Sequence, residues 1–172
     1  MKSKITILVL VLLTTLFVGA QRKILPTDSF TITGNVKAEG KFTIAQLDSF
    51  PKQILKDHVI YNHKGEIKDT LKNIQGILLK NVLATTEYRY QKPKELNEFY
   101  FVFVASDGYK VVFSWNEIYN TDIGNHLYII TALSGKTLAA IDQRIMVLAT
   151  SDLISGKRFI KGLQKIEVKR IE

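Results

Sequence analysis

Residues able to do chemistry are few and scattered along this 172-residue chain. His58, His63 and His126 are its three imidazoles. His58 and His63 are five apart, which points them to opposite faces of a continuous strand. No acidic cluster brackets any of the three, whereas a structural zinc site needs closely spaced ligands, often thiolates, so no metal site is predicted. The chain contains no cysteine, which excludes disulfides and thiolate chemistry. "LSGKT" (133–137) copies the end of a phosphate-binding loop, but Ile130 stands where that motif requires its first glycine, so it reads as a turn. No Gly-x-Ser-x-Gly presents a nucleophilic serine. Asp107, Glu117, Asp122 and Asp142 have no spacing that pairs them for general acid–base work. No catalytic residue is predicted.

The best remaining candidates are cations. "SGKRFIKG" (155–162) places Lys157, Arg158 and Lys161 in a glycine-bounded loop, where side chains and backbone N–H groups can converge on an anion. Tyr109, beside the turn in "SDGYK" (106–110), suits cross-strand packing and also stands where it can close a pocket mouth. Overall the chain carries a formal charge of +8. That excess reads chiefly as a solvated surface, and no interleaving of aromatic with basic residues suggests a nucleic-acid platform.

The N-terminus explains part of the charge. Lys2 and Lys4 precede an apolar run, residues 5–18, that ends in the small residues Gly19 and Ala20. This is the pattern of a cleaved export signal, residues 1–20. The run is too short and too interrupted, at Thr14 and Thr15, for a spanning helix. The expected product is a periplasmic or secreted chain, residues 21–172, with no transmembrane segment and large enough for one unstapled core.

The elements that must position the cations follow from local patterns. "SFTITGNV" (29–36) alternates with the strand period. Thr43 with Gln46, and Ser114 with Glu117, have the spacing of capping boxes and predict two short helices. "HVIYN" (58–62) reads as a strand, and "TLKNIQGILLKNVLATT" (70–86) as a strand that becomes helical after Gly76. Asp107-Gly108 between two apolar runs predicts a two-residue type I′ hairpin. Its register pairs Ser106 with Tyr109, Val104 with Val111, Val102 with Phe113 and Tyr100 with Trp115. Because both faces of 99–105 are apolar, this strand is expected to be covered on both sides. "HLYIITALSG", "QRIMVLAT" and "LQKIEVKRI" complete the strands. Strands and short helices without regular alternation predict an α+β domain with a mixed sheet.

The order of these pieces resembles the molybdopterin-binding domain of the sulfite oxidase family. The segments that carry the likeness are "IQGILLKNVLATT", "FVFVASDGYKVVFSWNEI", "YIITALSGKTL", "QRIMVLAT" and "GKRFIKGLQKIEV". The resemblance implies a central mixed sheet with short helices. It also implies that Arg144, Arg158 and Lys161 face one pocket, where the family contacts the anionic pterin phosphate. Two departures are plain. The cysteine that binds molybdenum in the family's enzymes is absent, and the family's Gly-x-Pro-Arg appears here as Asp142-Gln143-Arg144. The expected function is an exported, non-catalytic module that binds an anionic small molecule or an envelope protein, without cofactor. The alternative is a molybdopterin-dependent oxidoreductase or a subunit of one.

Overall fold

Thirteen short strands, three short α-helices and four 3-10 turns make up the computed structural model, which describes residues 23–171. The predicted export signal lies outside the described residues. In chain order the strands are β1 (Ser29–Gly34), β2 (Gly40–Thr43), β3 (Gln53–Leu55), β4 (His58–Tyr61), β5 (Ile67–Leu71), β6 (Ile74–Leu78) and β7 (Phe99–Ala105). β8 (Lys110–Ser114), β9 (Leu127–Leu133), β10 (Lys136–Thr137), β11 (Met146–Ala149), β12 (Ile160–Lys161) and β13 (Leu163–Arg170) follow. The helices are α1 (Ile44–Leu47), α2 (Leu79–Leu83) and α3 (Trp115–Tyr119). None among the described residues is long and apolar enough to cross a membrane.

The strands form a five-stranded mixed sheet, β2-β1-β13-β7-β8, and a six-stranded antiparallel sheet, β12-β11-β9-β6-β3 with β10 on β9. Only β1 and β13 pair in parallel in the first sheet. β4 and β5 form a separate two-stranded ribbon. This is the α+β class expected from the sequence. The main core joins Phe30, Phe101, Phe103, Phe113 and Ile166 of the mixed sheet to Ile77, Ile129 and Val147 of the antiparallel sheet. A second cluster lies where Ile60 and Leu71 of the ribbon meet Ile130, Met146 and Leu148. Both faces of β9 and β11 are therefore buried.

Both capping boxes form. Thr43 Oγ1 accepts from Gln46 N, and Ser114 Oγ accepts from Glu117 N, with the return bonds from the cap backbone N–H groups to Gln46 and Glu117 also made. β6 runs to Leu78, two residues beyond the strand end expected at Gly76, and α2 then begins at Leu79 and buries Leu79, Val82 and Leu83.

The hairpin differs from expectation by one residue. Val104 pairs with Lys110, Phe103 with Val111, Phe101 with Phe113 and Tyr100 with Ser114. Ser106, Asp107 and Gly108 all belong to the loop, because Ala105 N donates to Tyr109 O and Gly108 N to Ala105 O, each at 2.9 Å. Gly108 alone has positive φ there, 83°. This is a type I turn closed by a left-handed residue, the three-residue alternative to the type I′ turn. Asp107 Oδ1 accepts from Tyr109 N and holds the loop open by that extra residue. A type I′ turn does occur, at Ser134 (φ 52°) and Gly135 (φ 78°) between β9 and β10.

The one-residue shift corrects two expectations. Trp115 does not pair with Tyr100; it leaves the ladder to start α3 and stacks on Phe101 with ring centroids 6.0 Å apart. The shift also sets Phe101 against Phe113 and Phe103 against Val111 on the core face, leaving Tyr100 and Val104 only partly covered. β7 is thus an interior strand with one well-buried face, and double coverage belongs to β9 and β11.

Gly108→Val tests the turn. A β-branched residue at this φ is strained, and a loss of about 1–3 kcal/mol is expected in thermal or urea unfolding. An unchanged midpoint would contradict the left-handed assignment.

Candidate functional site

A cavity of about 400 Å³ opens where the hairpin tip, the ribbon and the loop before β12 meet. Three serine or tyrosine hydroxyls build it. Ser106 Oγ accepts from Leu25 N and donates to Leu25 O, both at 2.8 Å, fastening the N-terminal segment to the hairpin tip. Ser155 is buried; its Oγ donates to Val59 O at 3.0 Å and accepts from Tyr61 N at 3.4 Å, fastening the ribbon to the turn Ser155–Lys157. Tyr109 Oη donates to the backbone carbonyl of Lys157 across the mouth. Gly156 allows the ribbon its close approach, because a Cβ there would sit 2.2 Å from Tyr61 O.

Lys161, Lys68, Asp69, Asp107 and Tyr109 supply the polar wall, with Ile60 and Phe159 on the apolar side. Lys68 and Asp69 are adjacent in sequence and would normally point to opposite faces of β5. A β-bulge brings both to the cavity: Ile60 pairs with Asp69 and Tyr61 with Ile67, leaving Lys68 as the extra residue.

Lys161 is half-buried, and no described residue accepts a hydrogen bond from its Nζ, which lies 5.0 Å from the centre of the Phe159 ring. Burial holds its pKa below the ordinary lysine value; Lys68 adds to the depression and Asp69 opposes it. Burial, with a smaller contribution from Asp107, raises the Tyr109 phenol, so it stays a donor at neutral pH.

The structure divides the residues that the sequence grouped together. Lys161 and Tyr109 line the cavity, and Lys157 contributes its carbonyl to the rim. Arg158 points away into an acidic grip. Its Nε and Nη2 donate to the two oxygens of Asp152, the first at 2.7 Å, and its Nη1 donates to Glu117 Oε1 at 2.8 Å. The guanidinium lies over Phe113, 4.3 Å from the ring centre. Arg144 is elsewhere, in left-handed backbone (φ 53°) and paired with Asp28. Arg144, Arg158 and Lys161 therefore do not converge, because carboxylates remote in sequence claim the two arginines. Lys68 and Asp69 were not singled out, since a bulge in a ribbon that docks through tertiary contacts leaves no local signal.

Other concavities also hold polar groups. A groove of about 670 Å³ includes Arg170, but Glu98 and Glu95 already occupy that guanidinium at 2.6 and 3.0 Å. A third, of about 460 Å³, brings His58 and His126 together. Among the described residues no group of three His, Asp or Glu is placed to hold a metal ion.

The Arg158 grip makes a stability prediction. Asp152 is only 10% exposed and Arg158 only 23%, so Arg158→Ala strands a largely buried carboxylate. Removing one partner of a buried pair costs about 3–5 kcal/mol, and roughly 2–4 kcal/mol is expected for this partly solvated case. The pH profile should change too. Burial works to raise the Glu117 pKa, but the Ser114 backbone N–H and hydroxyl and Arg158 together hold it below the ordinary value. A depressed carboxylate stabilises the fold above its unfolded pKa, and that stability is lost as pH falls through the folded value. Wild type should therefore weaken more steeply than Arg158→Ala below about pH 4.3. Equal melting points and parallel acid profiles would show the grip to be idle.

Comparison with known proteins adds the fold. No family model matches the chain, and no curated protein matches it. Among solved structures it is similar to the sulfane dehydrogenase SoxCD from Paracoccus pantotrophus, with a TM-score of 0.60 and 13% identity. The likeness covers 84% of this chain but only 39% of that one, so the chain spans well under half of that protein's length. At this identity the shared property is the α+β fold.

Proposed function

We propose that this chain is an exported, non-catalytic binding module whose cavity beside the hairpin tip takes a small organic anion. The observation that carries the reading is Lys161, a half-buried ammonium without an acceptor among the described residues. An unpaired charge withdrawn from water is costly unless something compensates it. Lys68, turned to the same cavity by the bulge, gives a second cation at the mouth. Asp107 and Asp69 accept from the backbone N–H groups of Tyr109 and Thr70 at 2.9 and 2.7 Å, which uses part of their capacity within the chain. Their other oxygens suit a ligand that carries a hydroxyl or amino donor as well as its anionic group. Export rests on the N-terminal pattern of Lys2, Lys4 and the apolar run that follows.

The molybdopterin implied by the sequence resemblance fits these residues poorly. The chain offers no thiolate, the Arg158 guanidinium is filled by Asp152 and Glu117, and Arg144 is paired with Asp28. The oxidoreductase alternative is left with the likeness in fold.

The reading is tested by thermal-shift titration with acetate, lactate and phosphate at constant ionic strength. A ligand at 100 times its dissociation constant stabilises a fold by about 2.7 kcal/mol. Lys161→Met should remove that shift, and Arg144→Gln should retain it. Equal shifts in wild type and Lys161→Met, or none from any anion in wild type, would overturn the proposal.

A further inference from the structure

We infer that Lys161 captures its ligand covalently, its Nζ adding to the carbonyl carbon of a small oxo acid lodged in the cavity to form a reversible imine. The inference rests on the reading of this cavity as an organic-anion site and names the ligand class. Three features of the geometry carry it. Lys161 lines the cavity, and no described residue accepts a hydrogen bond from its Nζ. It rests near the Phe159 ring, half-withdrawn from water, on a strand whose neighbour β11 is fully buried. Lys68, the bulged residue of the ribbon, shares the cavity with it.

Desolvation and a neighbouring ammonium are the two influences that make a lysine a competent nucleophile near neutral pH. Both act here, and both favour the free amine of Lys161. Lys68 has a second role as partner for the ligand's carboxylate. Ile60 and Phe159 take its alkyl portion, and a cavity of this size lies at the small end of the ligand range.

The step balances without an oxidant or a second reactant. The Nζ lone pair attacks the carbonyl carbon, the π electrons move to oxygen, and a proton passes from nitrogen to that oxygen. The hydroxyl then takes a second proton from solvent, the carbon–oxygen bond breaks, one water leaves, and a protonated carbon–nitrogen double bond remains. The Asp69 carboxylate, close enough to act on the Lys161 charge, is placed to accept the proton from nitrogen and pass it to oxygen. Hydrolysis reverses the sequence, so the product is a held ligand and not a turnover.

The test uses the full chain with pyruvate and cyanoborohydride near pH 7, followed by peptide mapping. Hydride delivered to the imine carbon leaves a stable carboxyethyl group on the trapped lysine. Lys161 should be labelled faster than the exposed lysines, because desolvation and Lys68 both favour its free amine. Acetate and phosphate should compete. Lys68→Met should move the pH profile of Lys161 labelling upward and slow the labelling near pH 7, a change that general accessibility would not produce. Label spread evenly over the lysines, or a profile indifferent to Lys68→Met, overturns the imine. Stabilisation by acetate or phosphate without selective labelling overturns the covalent step alone. Absence of both overturns the anion site as well.

Discussion

The grip of Asp152 and Glu117 on Arg158 is the constraint from which the rest of the site follows. Three of the five guanidinium N–H donors are used, two of them in a parallel fork on one carboxylate. Glu117 is also the residue that closes the capping box of α3, its Oε2 accepting from Ser114 N at 2.7 Å. One ion-pair cluster thus ties the β7–β8 hairpin, through α3, to the loop that carries Lys157 and Lys161. Phe159, the next residue, is buried in the cluster under the ribbon. Of the basic side chains 157–161, Lys161 is then the one that lines the cavity.

The same economy of charge operates across the molecule. Arg170 is held by Glu95 and Glu98, Arg144 by Asp28, and Lys165 and Lys169 by Glu167. Exposed pairs of this kind contribute little individually, commonly 0–1 kcal/mol, but they decide which cations remain available to a ligand. The apolar architecture sets where Lys161 sits. The ribbon covers the outer face of the antiparallel sheet, burying Ile130 and Leu148, and its bulged edge overhangs the end of the hairpin. The cavity is the seam between those two packings.

Local signals in the sequence translated well into structure, and long-range ones did not. The Thr43–Gln46 and Ser114–Glu117 spacings each specify a bond within one helical turn, so both helices were legible. Asp107-Gly108 was legible as a turn but not as a turn of known length. Two-residue and three-residue hairpins share that dipeptide, and the choice rests on whether Asp107 braces Tyr109 N. That single residue moved the register and with it the burial of Tyr100 and Val104. The basic run 157–161 was legible as charge. Its division into a paired arginine and a free lysine was not, because Glu117 lies 41 residues from Arg158 in sequence. Lys68 and Asp69 were silent for the same reason, since their shared orientation comes from a bulge.

The central claim is that Lys161 is partly withdrawn from water with no described residue accepting a hydrogen bond from its Nζ, so that burial outweighs the opposing charge of Asp69. Titration of the side-chain carbon resonances in protein labelled with carbon-13 lysine measures this directly, with Lys161→Arg identifying the resonance. The account predicts that Lys161 titrates at clearly lower pH than the bulk of the lysines, and that Lys68→Met moves its midpoint upward. A Lys161 resonance that titrates together with the surface lysines would contradict it.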